Sequence, residues 1–308
     1  MILVVAAILA STGAGLFAER RWGKRAQAAS RRSLDVLLWG LLPFITFFTL
    51  ARLEITTGVG AGLGLAYVEL AAVGLLAWLV ATRVLRLERH ATGALIVVVV
   101  LANTGYLGVP LTAALLGEDV IGPAIAFDTV VSGPMFYVVG FAIGAAFGAT
   151  AGETAGERVR SFARNPPLLA LVAALAAGWA GADFLAPDVL VDVATVLVYA
   201  VLPVGFFVLG VNLAAEAEEG ALPFPPPFDA AIGSALTLRL LVAPALLLAF
   251  SAAIVRLPDV YLVQAAMPAG INSLVVAHAY GLDLRITSAV LAWSTALVVA
   301  VSVAAAAL

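Results

Sequence analysis

Apolar runs of about 20 residues recur from one end of this chain to the other, and few charges interrupt them. An α-helix needs a run of about that length to cross the hydrocarbon core of a bilayer. Of the 308 residues, 63% are hydrophobic and only 11% are charged. A soluble globular domain carries about a quarter charged residues. A water-soluble fold of this size could not cover its surface with so few polar groups, so the surplus apolar surface must face lipid. The apolar/polar alternation of membrane β-barrel strands is absent. The fold class is therefore an all-α membrane protein.

Runs bounded by charges, Pro or Gly predict ten spans, at 2–18, 33–51, 60–82, 92–116, 121–147, 167–183, 190–212, 230–251, 259–279 and 286–307. The stretch from Ile2 to Phe17 has no basic residue before it and a basic flank after it, which reads as a retained span rather than a secretory signal. The longest connections, 148–165 and 213–229, read as polar and Pro-rich linkers. One membrane domain is thus expected over 1–308, with a first five-helix unit at 1–147, a cytoplasmic linker at 148–166 and a second unit at 167–308.

Basic residues set the expected orientation. Arg20, Arg21, Lys24, Arg25, Arg31 and Arg32 follow span one, and Arg83, Arg86 and Arg89 follow span three. Arg158, Arg160 and Arg164 follow span five, and Arg285 follows span nine. Thirteen of the sixteen Lys and Arg residues thus fall on one side, against Arg52 and Arg256 on the other and Arg239 within a span. The positive-inside rule then puts both termini outside the cytoplasmic membrane. The loop after span seven fits least well, having Glu216, Glu218 and Glu219 and no Lys or Arg, but acidic residues count little in this rule.

The two units resemble each other. Leu42, Pro43 and Phe47 map onto Leu202, Pro203 and Phe207 with a shift of 160, and Pro110 maps onto Pro268 with a shift of 158. Glu69 and Arg239 sit near the middle of the third span of each unit. With an odd number of spans per copy, the second copy inserts upside down, an architecture common among secondary transporters.

Two spans carry helix breakers at their centres. Span four reads Asn103-Thr104-Gly105-Tyr106-Leu107-Gly108-Val109-Pro110, and span nine reads Gln264-Ala265-Ala266-Met267-Pro268-Ala269-Gly270-Ile271-Asn272. Pro removes a backbone donor and Gly lowers helix propensity, so span four is expected to unwind between Asn103 and Val109 and to restart at Pro110. Unwound backbone survives at membrane depth only inside protein or beside a wet cavity. Helix restarts aim free N–H groups into such a cavity and suit an anion. The plainer reading is a pair of proline kinks.

The ionisable residues well inside spans, away from their ends, are few: Glu69, Asp128 and Arg239. Each is costly there unless paired, hydrated or, for the acids, neutral. Asp128 and Glu69 are candidate proton carriers, and Glu69 with Arg239 could equally be a structural pair locking two helices. Gly58, Gly60, Gly62 and Gly64 read as close helix packing. Cysteine is absent and His90 and His278 have no metal-ligand spacing, so no metal site is expected. No nucleotide loop, HExxH or Ser/His/Asp constellation appears, which argues against an enzyme and calls for no cofactor.

The segments LANTGYLGVPLTAALLG from Leu101 and QAAMPAGINSLVVAHAYGLD from Gln264 resemble spans four and nine of the auxin efflux carrier family. The first two spans, with their basic loop and LLPFITFF stretch, are similar as well. The nearest likeness is to short bacterial members known as malate or malonate permeases. The resemblance implies ten spans, outward termini and a fold like sodium/proton antiporters and bile-acid symporters, with spans four and nine crossing as broken helices. It implies a moving transport domain of spans three to five and eight to ten, working by an elevator motion. Spans one, two, six and seven would form a scaffold and often a homodimer interface. Carried over residue by residue, Asn103 matches the asparagine that contacts the substrate carboxylate, and Pro110 and Pro268 match the crossover prolines. The Met267-Pro268-Ala269-Gly270-Ile271-Asn272 run departs from the Pro-Gln-Gly of plant carriers, which makes auxin itself an unexpected substrate.

The expected function is alternating-access transport of small organic anions. The site would comprise Asn103, Thr104, Gly105, Gly108, Pro110, Met267, Pro268 and Asn272, with Asp128, Glu69, Arg239 and Gln264 as charge or coupling candidates. The expected partners are the anion, the lipid bilayer and a second copy, with no nucleic acid. A sodium-coupled symporter, a non-transporting membrane receptor and a passive channel are the rival readings.

Overall fold

Residues 2–51, 57–148, 156, 164, 166–180, 185–218 and 226–306 are described by the computed structural model. Among them all regular structure is helical, save one antiparallel bridge between Ala102 and Ala269. Helix α1 (Ile2–Trp22) leads into α2 (Lys24–Val36), which continues through a π-helical turn at Leu37–Leu41 into α3 (Leu42–Leu50). The segment expected to be a basic loop is thus helical. The reason lies in its spacing: Ala26 and Ser30, four apart, are buried while Lys24, Arg25, Arg31 and Arg32 stay exposed.

Helix α4 (Thr57–Leu79) ends in a π-helical turn at Val80–Val84. The fourth apolar stretch is two helices, α5 (Arg89–Val100) and α6 (Val109–Leu116), the latter entered through a π-helical turn at Thr104–Gly108. Then come α7 (Ile121–Phe127), π-helical turns at Asp128–Ser132 and Met135–Gly140, and α8 (Phe141–Phe147). Helix α9 (Pro166–Trp179) precedes the long α10 (Asp188–Glu218). Helices α11 (Ala230–Thr237) and α12 (Ala243–Ala253) flank a π-helical turn at Leu238–Val242. The ninth stretch is again two helices, α13 (Asp259–Ala265) and α14 (Asn272–Tyr280), and α15 (Leu284–Ala306) closes the chain.

Among the described residues, five helical runs are long and apolar enough to cross a membrane by length and composition: Gly58–Val84, Glu118–Phe147, Asp188–Ala215, Ala230–Ala253 and Leu284–Ala304. Shorter apolar helices cover Trp39–Leu50, Arg89–Val100, Thr104–Leu116 and Leu168–Trp179. Most of the 148–165 linker, with Arg158 and Arg160, lies outside the described residues, as do Arg52 and residues 219–225. The described start of the 213–229 linker is a continuation of α10.

Packing follows two neighbourhoods. Helices α1, α3 and α9 lie against α10 or one another, and α2 joins them along α10. Glycines let α1 and α10 approach closely. A Cβ on Gly15 would meet Val211 N at 2.9 Å, and one on Gly210 would meet Leu16 N at 3.0 Å, so any side chain would pry the helices apart. The second neighbourhood gathers α4, α5, α8, α11, α12, α14 and α15, with α5 at its centre. Every residue of α5 from Thr92 to Val100 is buried. Of the glycine run in α4, Gly62 meets the ring of Tyr261, whereas Gly60 and Gly64 face open space. The expected close packing is therefore met at Gly62 and not at Gly60 or Gly64.

Candidate substrate site at the helix crossover

The two broken stretches meet at their breaks. Leu101 is extended (φ −98°, ψ 101°), and the Ala102–Ala269 bridge joins the two unwound segments antiparallel. Asn103 N–H donates to Pro268 C=O at 2.8 Å, and Gly270 N–H donates to Leu101 C=O at 2.7 Å. Ala269 N–H donates to the Ser294 hydroxyl at 3.2 Å. Each break thus supplies the partners that the other lost by leaving the helix, which is what allows such backbone to stay buried. The close approach needs Gly270, since a Cβ there would stand 2.8 Å from Ala102 C=O.

The positions of the breaks correct the expectation from the prolines. Span four unwinds at Leu101–Asn103 and restarts at Thr104, not at Pro110. Asn103 is the N-cap: its Oδ1 accepts from Leu107 N–H at 3.3 Å, and its C=O accepts from Gly108 N–H at 3.0 Å. The π-helical turn that follows widens the backbone just ahead of Pro110, which then sits in the first turn of α6 where a missing donor costs little. Pro268 likewise does not start a helix. It lies in the extended break, and α14 starts at Asn272.

A cavity of about 280 Å³ opens at this crossover. From the expected site it is lined by Asn103, Thr104, Gly105, Asp128 and Asn272. Asn103 is 3% exposed, and its Nδ2 has no hydrogen-bond partner. The Thr104 hydroxyl lies between the Asp128 carboxyl group (2.5 Å) and the Ser132 hydroxyl (2.7 Å). Gly105 lets that carboxyl group approach, since a Cβ would meet Asp128 Oδ2 at 2.9 Å. Asp128 and Gly105 also line a second cavity of about 40 Å³, so they form part of the wall between the two.

Other expected residues stand elsewhere. Pro110 lines the smaller cavity. Gly108 packs against Met267 and the Gln264 side chain, whose amide is fully buried with both polar atoms unpartnered. Arg239 does not line the cavity, contrary to the expected charge contribution; it is 1% exposed and donates to Val99 C=O at 2.9 Å and to Ala265 C=O. Glu69, also 1% exposed, is near enough to feel the charge of Arg239 but makes no ion pair with it. The expected Glu69–Arg239 lock is therefore corrected: the guanidinium is engaged by backbone carbonyls instead.

Sequence reading missed Asp35, Ser132 and Asn212, which line the same cavity together with Tyr106 and Tyr137. Ser132 had a readable signal, since it follows Asp128 by four residues on one helical face. Asn212 was readable as an amide at the end of an apolar run. Asp35 falls near the start of span two, and only the fold brings it to the cavity. Among the described lining residues there is no Lys, Arg or His. A ligand's negative charge would therefore be met by amide groups and helix starts.

Comparison with known proteins bears on what such a cavity serves. The sequence model of a family described as Membrane transport protein matches residues 2–152 and 153–304. An uncharacterized transporter of Methanocaldococcus jannaschii is 25% identical over 219 residues, 70% of this chain and 67% of that protein.

Proposed function

Since the chain belongs to the membrane transport protein family, that of the auxin efflux carriers, and is thus a multi-pass membrane transporter rather than an enzyme, we propose that it carries small organic anions across the cytoplasmic membrane by alternating access. Family membership sets the receptor reading aside. The observation that supports the cargo is the cavity where two helix starts, at Thr104 and Asn272, come together with the unpartnered amide of Asn103. Helix starts carry free N–H groups and a partial positive charge, which suit a carboxylate. Asn103, Asn272 and the Thr104 hydroxyl would orient it.

Coupling in this reading is to protons. The substrate carboxylate and an ionised Asp128 would repel each other in a cavity whose described lining holds no cation. Binding of the anion is therefore tied to a proton on Asp128, with the Thr104 and Ser132 hydroxyls as its contacts. Glu69 does not line the cavity and has no part in this step.

The proposed architecture has ten crossings as two inverted five-helix units, with both termini outside. Helices α1, α3, α9 and α10 would be the scaffold and carry a homodimer interface. The neighbourhood around α5, with the crossover, would be the moving part. The test is uptake of labelled malate, malonate, pyruvate and indole-3-acetate into proteoliposomes with an imposed pH gradient. Saturable uptake of one acid, driven by the gradient, is the expected outcome. Non-saturable flux would indicate a channel, and no uptake of any of them would refute the cargo class.

A further inference from the structure

Helix α5 stops at Val100 and α13 at Ala265, and both stops lie at the crossover. The last carbonyls of a helix have no intrahelical donor and carry the negative end of its dipole. Here the donors that would have continued each ladder are diverted. The N–H that a continuing α5 would offer to Val99 C=O is that of Asn103, which goes to Pro268 C=O instead. The N–H that a continuing α13 would offer to Ala265 C=O is that of Ala269, which goes to the Ser294 hydroxyl. The carbonyls of Val99 and Ala265 thus lose these donors, and both are taken by one side chain: Arg239 donates Nη1 to Val99 and Nη2 to Ala265.

In carriers built from broken helices, such helix ends and unwound carbonyls are where a coupling sodium ion is held. A sodium ion needs several oxygen ligands, and these two oxygens are already occupied here. We propose that the Arg239 guanidinium is a built-in cation that closes both helix ends, so that no bound or co-transported metal cation is needed at the crossover. Arg239 is a positioning residue in this account, since it does not touch the substrate cavity.

Several features support this assignment. The guanidinium fork has the geometry to hold two carbonyls at once, and it stays charged when buried where an ammonium titrates readily. Arg239 sits in the widened turn at Leu238–Val242, which leaves its side chain fully enclosed. Glu69 lies near enough to balance the charge without competing for the donors. Only the statement about co-transport rests on the carrier reading; the occupation of the helix ends does not.

The experiment is thermal unfolding of the full-length protein in detergent, in the chlorides of sodium, potassium, lithium and N-methylglucamine. Wild type is expected to unfold at one temperature in all four. Arg239→Ala is expected to unfold at a lower temperature, and low millimolar guanidinium chloride should raise it again while leaving wild type unchanged. A purely steric role for the side chain would give no such rescue. Selective stabilisation of wild type by sodium would overturn the proposal, as would an Arg239→Ala protein that matches wild type or ignores guanidinium. If Arg239→Ala yields no folded protein, Arg239→Lys and the wild-type cation series still decide. The lysine variant should lie between wild type and alanine, and sodium-independence of wild type remains required. A failed wild-type series would leave the carrier reading standing, whereas failed uptake of every acid would leave these stability results standing.

Discussion

The starts and the ends of the four half-helices at the crossover are treated in opposite ways. At the ends, the Val99 and Ala265 carbonyls are held by a buried guanidinium that does not line the cavity, although Val100 and Leu101 of the α5 end do. The starts, at Thr104 and Asn272, open on the cavity and are furnished with amides and hydroxyls that still have bonding capacity, such as Asn103 Nδ2. The same breaks create both surfaces. Negative helix ends are neutralised permanently by the chain itself, while positive helix starts are left for something that comes and goes. In the proposed carrier, such a site would take an anion without a fixed cation in its lining, once Asp128 is protonated.

The harshest way to break the comparison is to separate the two breaks themselves. Gly270→Val would drive a side chain into Ala102 C=O and destroy the pairing on which starts and ends both depend. It should cost about 3 kcal/mol or more, seen as a large fall in the thermal midpoint together with loss of transport. A variant confined to the starts should behave differently. Asp128→Asn is expected to reduce gradient-driven uptake by about tenfold or more while changing stability by about 1 kcal/mol at most. If its uptake still followed the pH gradient, Asp128 would not be the proton site.

Asn212 faces the starts from α10, in the other neighbourhood of the fold. Asn212→Ala should weaken the apparent affinity for substrate about fivefold, the value of one hydrogen bond, with the maximal rate nearly unchanged. An equal fall in rate would place it in the moving step instead. The smallest effect belongs to a control far from the crossover, the Asp229–Arg285 ion pair at 2.8 Å. Partial burial alone would raise the Asp229 carboxyl group, but hydrogen bonds from Ile232 N–H and Arg285, the charge of Arg285 and the Ala231 N–H outweigh it and hold the group below its usual range. A depressed carboxylate stabilises the fold above its unfolded-state value and loses that contribution as pH falls through the folded one. Asp229→Asn keeps a helix cap, so it should cost only about 0.5 kcal/mol at neutral pH for this half-exposed pair. The gap from wild type should close in acid, below about pH 4.

Much of the crossover is legible in the sequence. Helix breakers in two apolar stretches marked where backbone would unwind, and Asn103, Thr104 and Asp128 stood out as polar residues that a lipid-facing helix would not carry. The restart positions were not legible, because a π-helical turn absorbs the missing donor of Pro110 and sequence gives no sign of it. Arg239 and Glu69 invited pairing by charge, but a guanidinium satisfies carbonyl oxygens equally well, and which carbonyls lack donors is known only once both breaks are seen together. Asp35 and Asn212 escaped notice for a related reason: they come from helices distant in the chain and reach the cavity only through the packing of α2 and α10. The basic loop became helix because Ala26 and Ser30 had a surface to bury against, which composition alone does not reveal.

Transport of this kind requires that the helix starts form the substrate site. Counterflow of a labelled acid in proteoliposomes, comparing wild type with Asn103→Ala, tests this most directly. Saturable exchange by wild type, reduced about tenfold or more in the variant while its thermal midpoint stays close to wild type, is the predicted result. Undiminished exchange by a folded Asn103→Ala protein would contradict it and move the site away from the crossover.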